Sequence, residues 1–224
     1  MTKSAQDLLV ENEKLAKELL APGADEIDRE RRFPRRNIQE LGRSGLLGLV
    51  VPLEFGRAGA GIPEMAQVLE RMAQACASTA MVTLMHYCGT AVIVAKGSAV
   101  LRQTLLPAIA RGEHLTTLAF SEAGSGGHFY MPVSEVRRNG HGLRLSAQKT
   151  FVTSAGEADS YVVSTRIHPL RKCPTCNMSG RHFGGVFKGS YRPCRACRGS
   201  GRRDRVGTKV FWGGTNHTGV FPKK

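Results

Sequence analysis

Near Glu113 the hydrophobic period of this chain changes from about 3.6 residues to about 2, and that change constrains the fold most. Upstream, Leu8, Leu15 and Leu19 form one apolar stripe that Pro22-Gly23 is expected to end. Pro34 stands where a first-turn proline belongs, before Ile38 and Leu41, and Gly42 and Gly45 supply the stop. The segment LLGLVVPLEFG leaves helix at Pro52. Beyond Pro63, the residues Met65, Val68, Leu69, Met72 and Cys76 recur at i, i+3, i+4, i+7 and i+11. Ser98 is a cap for a helix carrying Leu101, Leu105 and Ile109 and ending at Arg111-Gly112. Downstream, LTTLAFS, MPVSEVRR, GLRLSAQKTFVTS and SYVVST alternate as strands do, with Asn139-Gly140 where a hairpin must turn. The expectation is an α+β chain: a helical domain over 1–115, then a partial antiparallel β domain over 116–166. Four or five strands would leave an open edge for something to cover.

From Ala75 to Ala95 the chain is uncharged and long enough to span a bilayer. Ser78, Thr79, Thr83, His86, Tyr87 and Thr90 lie within it, and insertion would leave these polar groups in hydrocarbon. Two buried helices meeting near Gly89 fit better. The N-terminus, MTKSAQDLLVENEK, has no apolar h-region and no cleavage site. A cytoplasmic protein without a membrane span is therefore expected. Paired cysteines in that compartment indicate metal or redox work rather than disulfides.

Three stretches, "FPRRNIQELGRSGLLGLVVPLEFG", "LPAIARGEHLTTLAFSEAGSGG" and "GLRLSAQKTFVTSAGEADSYVVSTR", occur in the order and spacing of the acyl-CoA dehydrogenases. The chain resembles that family over nearly all of residues 5–166. The resemblance implies a helical N-terminal domain and a β domain forming one wall of an FAD site. A C-terminal four-helix domain completes that site and the subunit contacts in the family. Phe120 and Ser121 open the AFSEAGSGG loop, which resembles the loop facing the flavin pyrimidine. Thr153 matches the threonine that hydrogen-bonds the flavin near N5. Phe151 stands where relatives carry tryptophan against the ring. Where the usual loop runs Gly-Ser-Asp, this chain has Gly126, Gly127 and His128. The pyrophosphate contact then falls to Ser125 and to backbone N–H groups around Gly127. Read without the resemblance, Thr153 is a strand threonine, Phe151 a core aromatic and SEAGSGG a turn.

In that family the base that removes the substrate α-proton is a carboxylate of the C-terminal helical domain. Asp204 is the only acidic residue after Arg166 and lies in a basic tail. No catalytic residue is assigned, and the chain by itself is expected to lack turnover. The resemblance implies an acyl-CoA or related small molecule, and further copies of the chain, as partners.

Composition changes abruptly at Arg166/Ile167. Residues 1–166 hold 19 Lys/Arg against 17 Asp/Glu, whereas residues 167–224 hold 13 against 1. The tail carries CPTCNMSGR and CRACRGSGR, one repeat at an offset of 21 residues, giving C-x2-C-x17-C-x2-C through Cys173, Cys176, Cys194 and Cys197. This is the spacing of a closed four-thiolate zinc site, structural rather than catalytic. In so small a segment, zinc would supply most of the folding free energy. The repeat resembles the zinc knuckles of the DnaJ co-chaperone cysteine-rich region, with Met178 replacing a glycine in the first unit. A redox C-x-x-C pair is the rival reading, without the βαβ context that it needs. Cys76 and Cys88 read as core residues, and His182 and His217 fall off the ligand spacing.

Arg171, Lys172, Arg181, Arg192, Arg195, Arg198, Arg202, Arg203 and Arg205, with Phe183, Phe187, Tyr191, Phe211 and Trp212, have the composition of a nucleic-acid-binding ribbon. The same charges equally suit a merely solubilised metal module. A fusion, a rearranged gene and a reading-frame error all account for the junction, and the matched repeat favours a genuine module. Two functional readings follow. The first is a flavin-linked oxidoreductase acting on CH–CH groups, truncated and without its base. The second is a zinc-stabilised basic module, binding nucleic acid or protein, on a helical scaffold.

Overall fold

A computed structural model describes residues 4–129, 131–139, 142–167, 181–183, 191–193 and 206–211. The chain divides into two compact units. One takes in Met1–Phe120, Phe151–Val163 and Lys209–Lys224, the other Ser121–Thr150 and Ser164–Thr208.

The first unit is mostly helix. Helix α1 (Ala5–Leu15) starts in a capping box: the Ser4 hydroxyl accepts the Asp7 N–H at 3.2 Å while the Asp7 carboxylate accepts the Ser4 N–H at 2.9 Å. The helix does not stop at Pro22-Gly23. It passes through a π-turn, Ala16–Leu20, into α2 (Ala21–Arg29), with Pro22 in the first turn of α2. Pro22, which has no N–H to donate, comes just after the π-turn, where the helical hydrogen-bond register shifts. The buried stripe differs from the expected one as well. Leu8, Asn12, Ala16 and Leu20 face inward while Leu15 and Leu19 are only partly covered. Asn12 is tolerated there because its amide donates to the Val68 carbonyl at 3.1 Å.

Helix α3 (Arg35–Ser44) runs on through Gly42 and ends at Gly45, whose φ of 93° is the left-handed stop. Gly42 has another purpose. A Cβ there would meet the Gly112 carbonyl oxygen at 2.8 Å, and Gly112 follows α6 (Ala99–Ala110). Two backbones touch at that point. Ser98 caps α6 as expected, accepting the Leu101 N–H at 3.2 Å. The stripe on α4 (Ile62–Ala75) also holds: Val68 and Met72 are fully buried, and Met65 and Leu69 pack against the same core. Cys76 is buried at the end of this helix.

Helix α5 (Ala77–Lys96) corrects the reading of two helices meeting at Gly89. It is one unbroken helix, and Gly89 marks a close approach rather than a break. A Cβ there would lie 3.0 Å from the Thr116 methyl carbon of β1 (Thr116–Ala119). The helix is long and apolar enough to cross a membrane by length and composition. Its buried Thr79, Thr83, His86, Tyr87 and Thr90 are instead hydrogen-bonded within the unit, as a core helix requires.

The start of β4 (Ser160–Ile167) pairs in parallel with β1, from Thr116↔Ser160 to Ala119↔Val163. In the second unit, β2 (Glu135–Asn139) pairs antiparallel with β3 (Gly142–Leu145) and closes on Asn139↔Gly142, at the turn position read from the sequence. The end of β4 pairs in parallel with β2. The sheet is therefore mixed, not antiparallel. GLRLSAQKTFVTS is strand only over Gly142–Leu145. A further antiparallel pair joins β5 (Arg181–Phe183) to β6 (Tyr191–Pro193), and β7 spans Val206–Phe211.

His86 lies at the centre of the first unit. Its Nδ1 accepts the Thr116 N–H at 3.1 Å, so its Nε2 carries the proton and donates to the Leu47 carbonyl at 3.0 Å. Burial, against the pull of these bonds, lowers its pKa to about 4. The same cause lowers His114, which contacts the Ser160 hydroxyl at 2.8 Å.

Two predictions follow from this packing. Gly42→Ala should gain about 1 kcal/mol from helix propensity at an unpaired site. Here it should instead lose roughly 1–3 kcal/mol in denaturant unfolding, because the opposing atom is backbone. For His86, the folded pKa lies below the unfolded value, so the unfolded chain binds more protons between the two. Its contribution is present above pH 6.5 and is lost as pH falls towards 4, about 3 kcal/mol in all. His86→Gln should remove about one proton's slope from the dependence of unfolding free energy on pH over that window.

Candidate functional site

The residues predicted to meet a flavin fall in both units. Phe120, Phe151 and Thr153 belong to the first, and Ser121, Ser125 and Gly127 to the second.

In the first unit, Phe120 follows β1 and is partly buried against a core that includes Val51, Ile93 and Leu106. The Thr153 carbonyl accepts the Thr117 hydroxyl at 2.8 Å, which ties the Phe151–Ser154 turn to β1. That turn is strained. Phe151 has φ of 53° and Ser154 has φ of 63°, and neither is glycine. The left-handed region costs an ordinary residue about 1–2 kcal/mol. Phe151 is nevertheless 96% exposed, so the side chain gains nothing from the core to offset that cost. This corrects its expected place as a core aromatic. The Ser154 hydroxyl oxygen is buried and has no hydrogen-bond partner among the described residues. Backbone strain, an exposed aromatic and an unpartnered buried hydroxyl thus fall within four residues.

In the second unit, the turn after Ser121 winds as a short 3-10 segment, Ala123–Ser125. The Ser125 N–H and hydroxyl both return to the Glu122 carbonyl at 3.0 Å. Gly126 has φ of 52°, and space is open where side chains would stand at Gly126 and Gly127. The Ser121 carbonyl accepts the Thr150 N–H at 2.9 Å.

Beneath the turn lies a pair that motif reading missed. The Glu122 carboxylate meets the Lys149 ammonium at 2.5 Å, the two side chains 3% and 5% exposed. Glu122 also accepts the Val133 and Ser134 N–H groups at 2.6 and 3.0 Å, and Lys149 donates to the Ser164 carbonyl at 2.6 Å. Burial opposes the charge on Glu122, but Lys149, Ser134 and the Val133 N–H outweigh it and hold its pKa at about 2. One signal was available. Lys149 shares the alternation of Leu143, Leu145 and Ala147, an inward parity for a charged residue.

Cys173, Cys176, Cys194 and Cys197 lie outside the described residues. Among the described residues no cluster of metal-ligating side chains occurs. Cys76 and Cys88 are unpaired thiols. Burial pushes Cys88 up, away from the reactive thiolate, and Cys76 accepts the Thr79 hydroxyl at 3.1 Å.

Residues 2–113 match the acyl-CoA dehydrogenase N-terminal domain. The chain belongs to the acyl-CoA dehydrogenase family. It is 34% identical over 168 residues to cyclohex-1-ene-1-carbonyl-CoA dehydrogenase of Syntrophus aciditrophicus, covering 74% of this chain and 41% of that protein. Against the mouse mitochondrial short-chain specific acyl-CoA dehydrogenase, identity is 31% over 151 residues, covering 66% and 36%. The fold is similar to that of butyryl-CoA dehydrogenase from Megasphaera elsdenii, with a TM-score of 0.67 and 22% identity over 80% of this chain and 47% of the other. The chain spans about two fifths of the length of the curated relatives it matches.

Proposed function

We propose that this chain carries the flavin-binding part of an acyl-CoA dehydrogenase-like oxidoreductase acting on CH–CH groups. The observation that carries the proposal is the Phe151–Ser154 turn. Its strained backbone presents an aromatic face to solvent, and FAD would give that face a partner.

The residues fit the group. Phe151 would lie against the isoalloxazine, and Thr153 would hydrogen-bond near its N5. Ser121 and the backbone around Phe120 would face the pyrimidine, while the Ser125 hydroxyl and the open amides at Gly127 would meet the pyrophosphate. When bound, the flavin supplies a hydride acceptor. The chain's part is to orient it and keep water from one side. The substrate class this implies is an acyl-CoA or a related thioester, and a cytosolic location and self-association accompany the reading.

The test is spectroscopic. The purified chain incubated with FAD and desalted should retain a flavin absorbance band with quenched fluorescence. Phe151→Gly should weaken that retention about tenfold or more, while unfolding stability stays within about 1 kcal/mol because the ring buries nothing. No retained flavin in the unaltered protein overturns the assignment.

A second reading applies to the tail alone. In the β5–β6 pair, Arg181 stands opposite Pro193, beside the second C-x2-C and five residues after Cys176. The β5–β6 pair lies in sequence between the two cysteine pairs, whose C-x2-C-x17-C-x2-C spacing is that of a four-thiolate zinc module. The basic tail then offers nucleic acid or a protein a metal-stiffened surface. One zinc per chain by atomic spectrometry, lost in Cys194→Ser, is the expected result. Equal metal content in the two proteins would overturn it.

A further inference from the structure

We infer that Glu122 and Lys149 are a positioning pair, fixing the turn Ser121–Ser125 so that its outer hydroxyl and amides are preset for their ligand; this rests on the flavin reading above. Left to itself the turn is weakly made. Its internal hydrogen bonds return to one acceptor, the Glu122 carbonyl; Gly124 packs only against the Val133 side chain, and space is open at Gly126 and Gly127 just beyond. What anchors it is the Glu122 side chain, which reaches inward to two amides of the 133–134 segment and to Lys149. Lys149 in turn grips the Ser164 carbonyl at the middle of β4, and its neighbour Thr150 donates to the Ser121 carbonyl. Four segments far apart in sequence meet on two charges.

Stability alone is a poor reason for such a pair. Taking both ions from water costs nearly what their attraction returns, and apolar residues of like volume hold a core as well. An ion pair differs from an apolar plug in direction. A carboxylate accepting from three donors fixes both the place and the orientation of the residue carrying it. That residue lies between Ser121 and Ser125, the two proposed ligand contacts. Neither Glu122 nor Lys149 is assigned contact with the flavin, so they act through the turn.

The experiment uses the full chain. Lys149→Met strands a buried carboxylate and risks the fold. The double variant Glu122→Gln/Lys149→Met removes both charges together, and Lys149→Arg keeps the pair. Two readouts are taken: FAD affinity by fluorescence quenching, and hydrogen exchange of the flavin-free proteins. The double variant should bind FAD about tenfold or more weakly. Its Val133 and Ser134 amides should exchange faster while those of α5 keep their protection, and Lys149→Arg should recover most of the affinity. Unchanged affinity in the double variant, or unchanged exchange at those two amides, overturns the inference. Should the unaltered chain take up no FAD, the flavin reading falls. Exchange then decides the pair: local acceleration confined to 133–134 supports the anchor, and protection equal to the unaltered chain removes it.

Discussion

The first unit depends on how β1 is held against α5. A parallel strand beside a buried helix presents backbone groups that water cannot reach, and each must find a partner within the protein. His86 supplies one by accepting the Thr116 N–H, and Gly89, one turn further along the helix, removes the side chain that would keep β1 at a distance. The first makes the contact satisfiable and the second makes it close. Because His86 also donates to the Leu47 carbonyl, the same ring joins strand, helix and the turn Leu46–Gly48. Tyr87 repeats the device on the adjacent Leu46 carbonyl at 2.7 Å. Phe120, which follows β1, leaves the strand from a place these bonds fix.

Two buried titratable groups show how partners decide charge. His86 has one donor and one acceptor, both uncharged; burial outweighs the Leu47 carbonyl and the Asp159 charge, which favour a second proton, and keeps the ring neutral. Glu122 is comparably enclosed by exposed surface, yet it faces an ammonium and two amides, so it stays ionised. The neutral solution suits a core that must simply be satisfied. The ionised one appears under a turn whose outer face is open, where orientation matters more than the free energy of burial.

Much of the helical unit was legible because its signals are local. The spacing on α4, the Ser98 cap and the end of α6 each depend on a few neighbouring residues, and each stands as read. The misreadings share another origin. Pro22-Gly23 reads as an end because a proline usually is one, but the π-turn just before it carries the helix past. Gly42 and Gly89 were taken for punctuation when each marks contact with a distant backbone, Gly112 in one case and β1 in the other. Strand direction was likewise hidden. β1 and β4 are buried at consecutive residues, Thr116 and Thr117 in one and Val162, Val163, Ser164 and Thr165 in the other, a pattern that carries no strand direction. The Glu122–Lys149 pair left only a parity clue, because its partners come from four stretches of sequence.

The strain at Phe151 and Ser154 needs a structural counterweight, since each left-handed residue would otherwise relax. Thr117 provides it. Its hydroxyl donates to the Thr153 carbonyl from β1, whose own place is fixed by His86 and Gly89. The chain of dependence runs from a buried imidazole, through a strand, to a turn that exposes an aromatic ring. Packing energy gained in the core is thereby expended at the surface, on a conformation no isolated segment of this sequence would hold. A turn with only a structural task would carry glycine at Phe151, with no loss of buried area and less strain. That the chain instead holds a phenylalanine there, 96% exposed, is what makes ligand contact the better physical account of the turn.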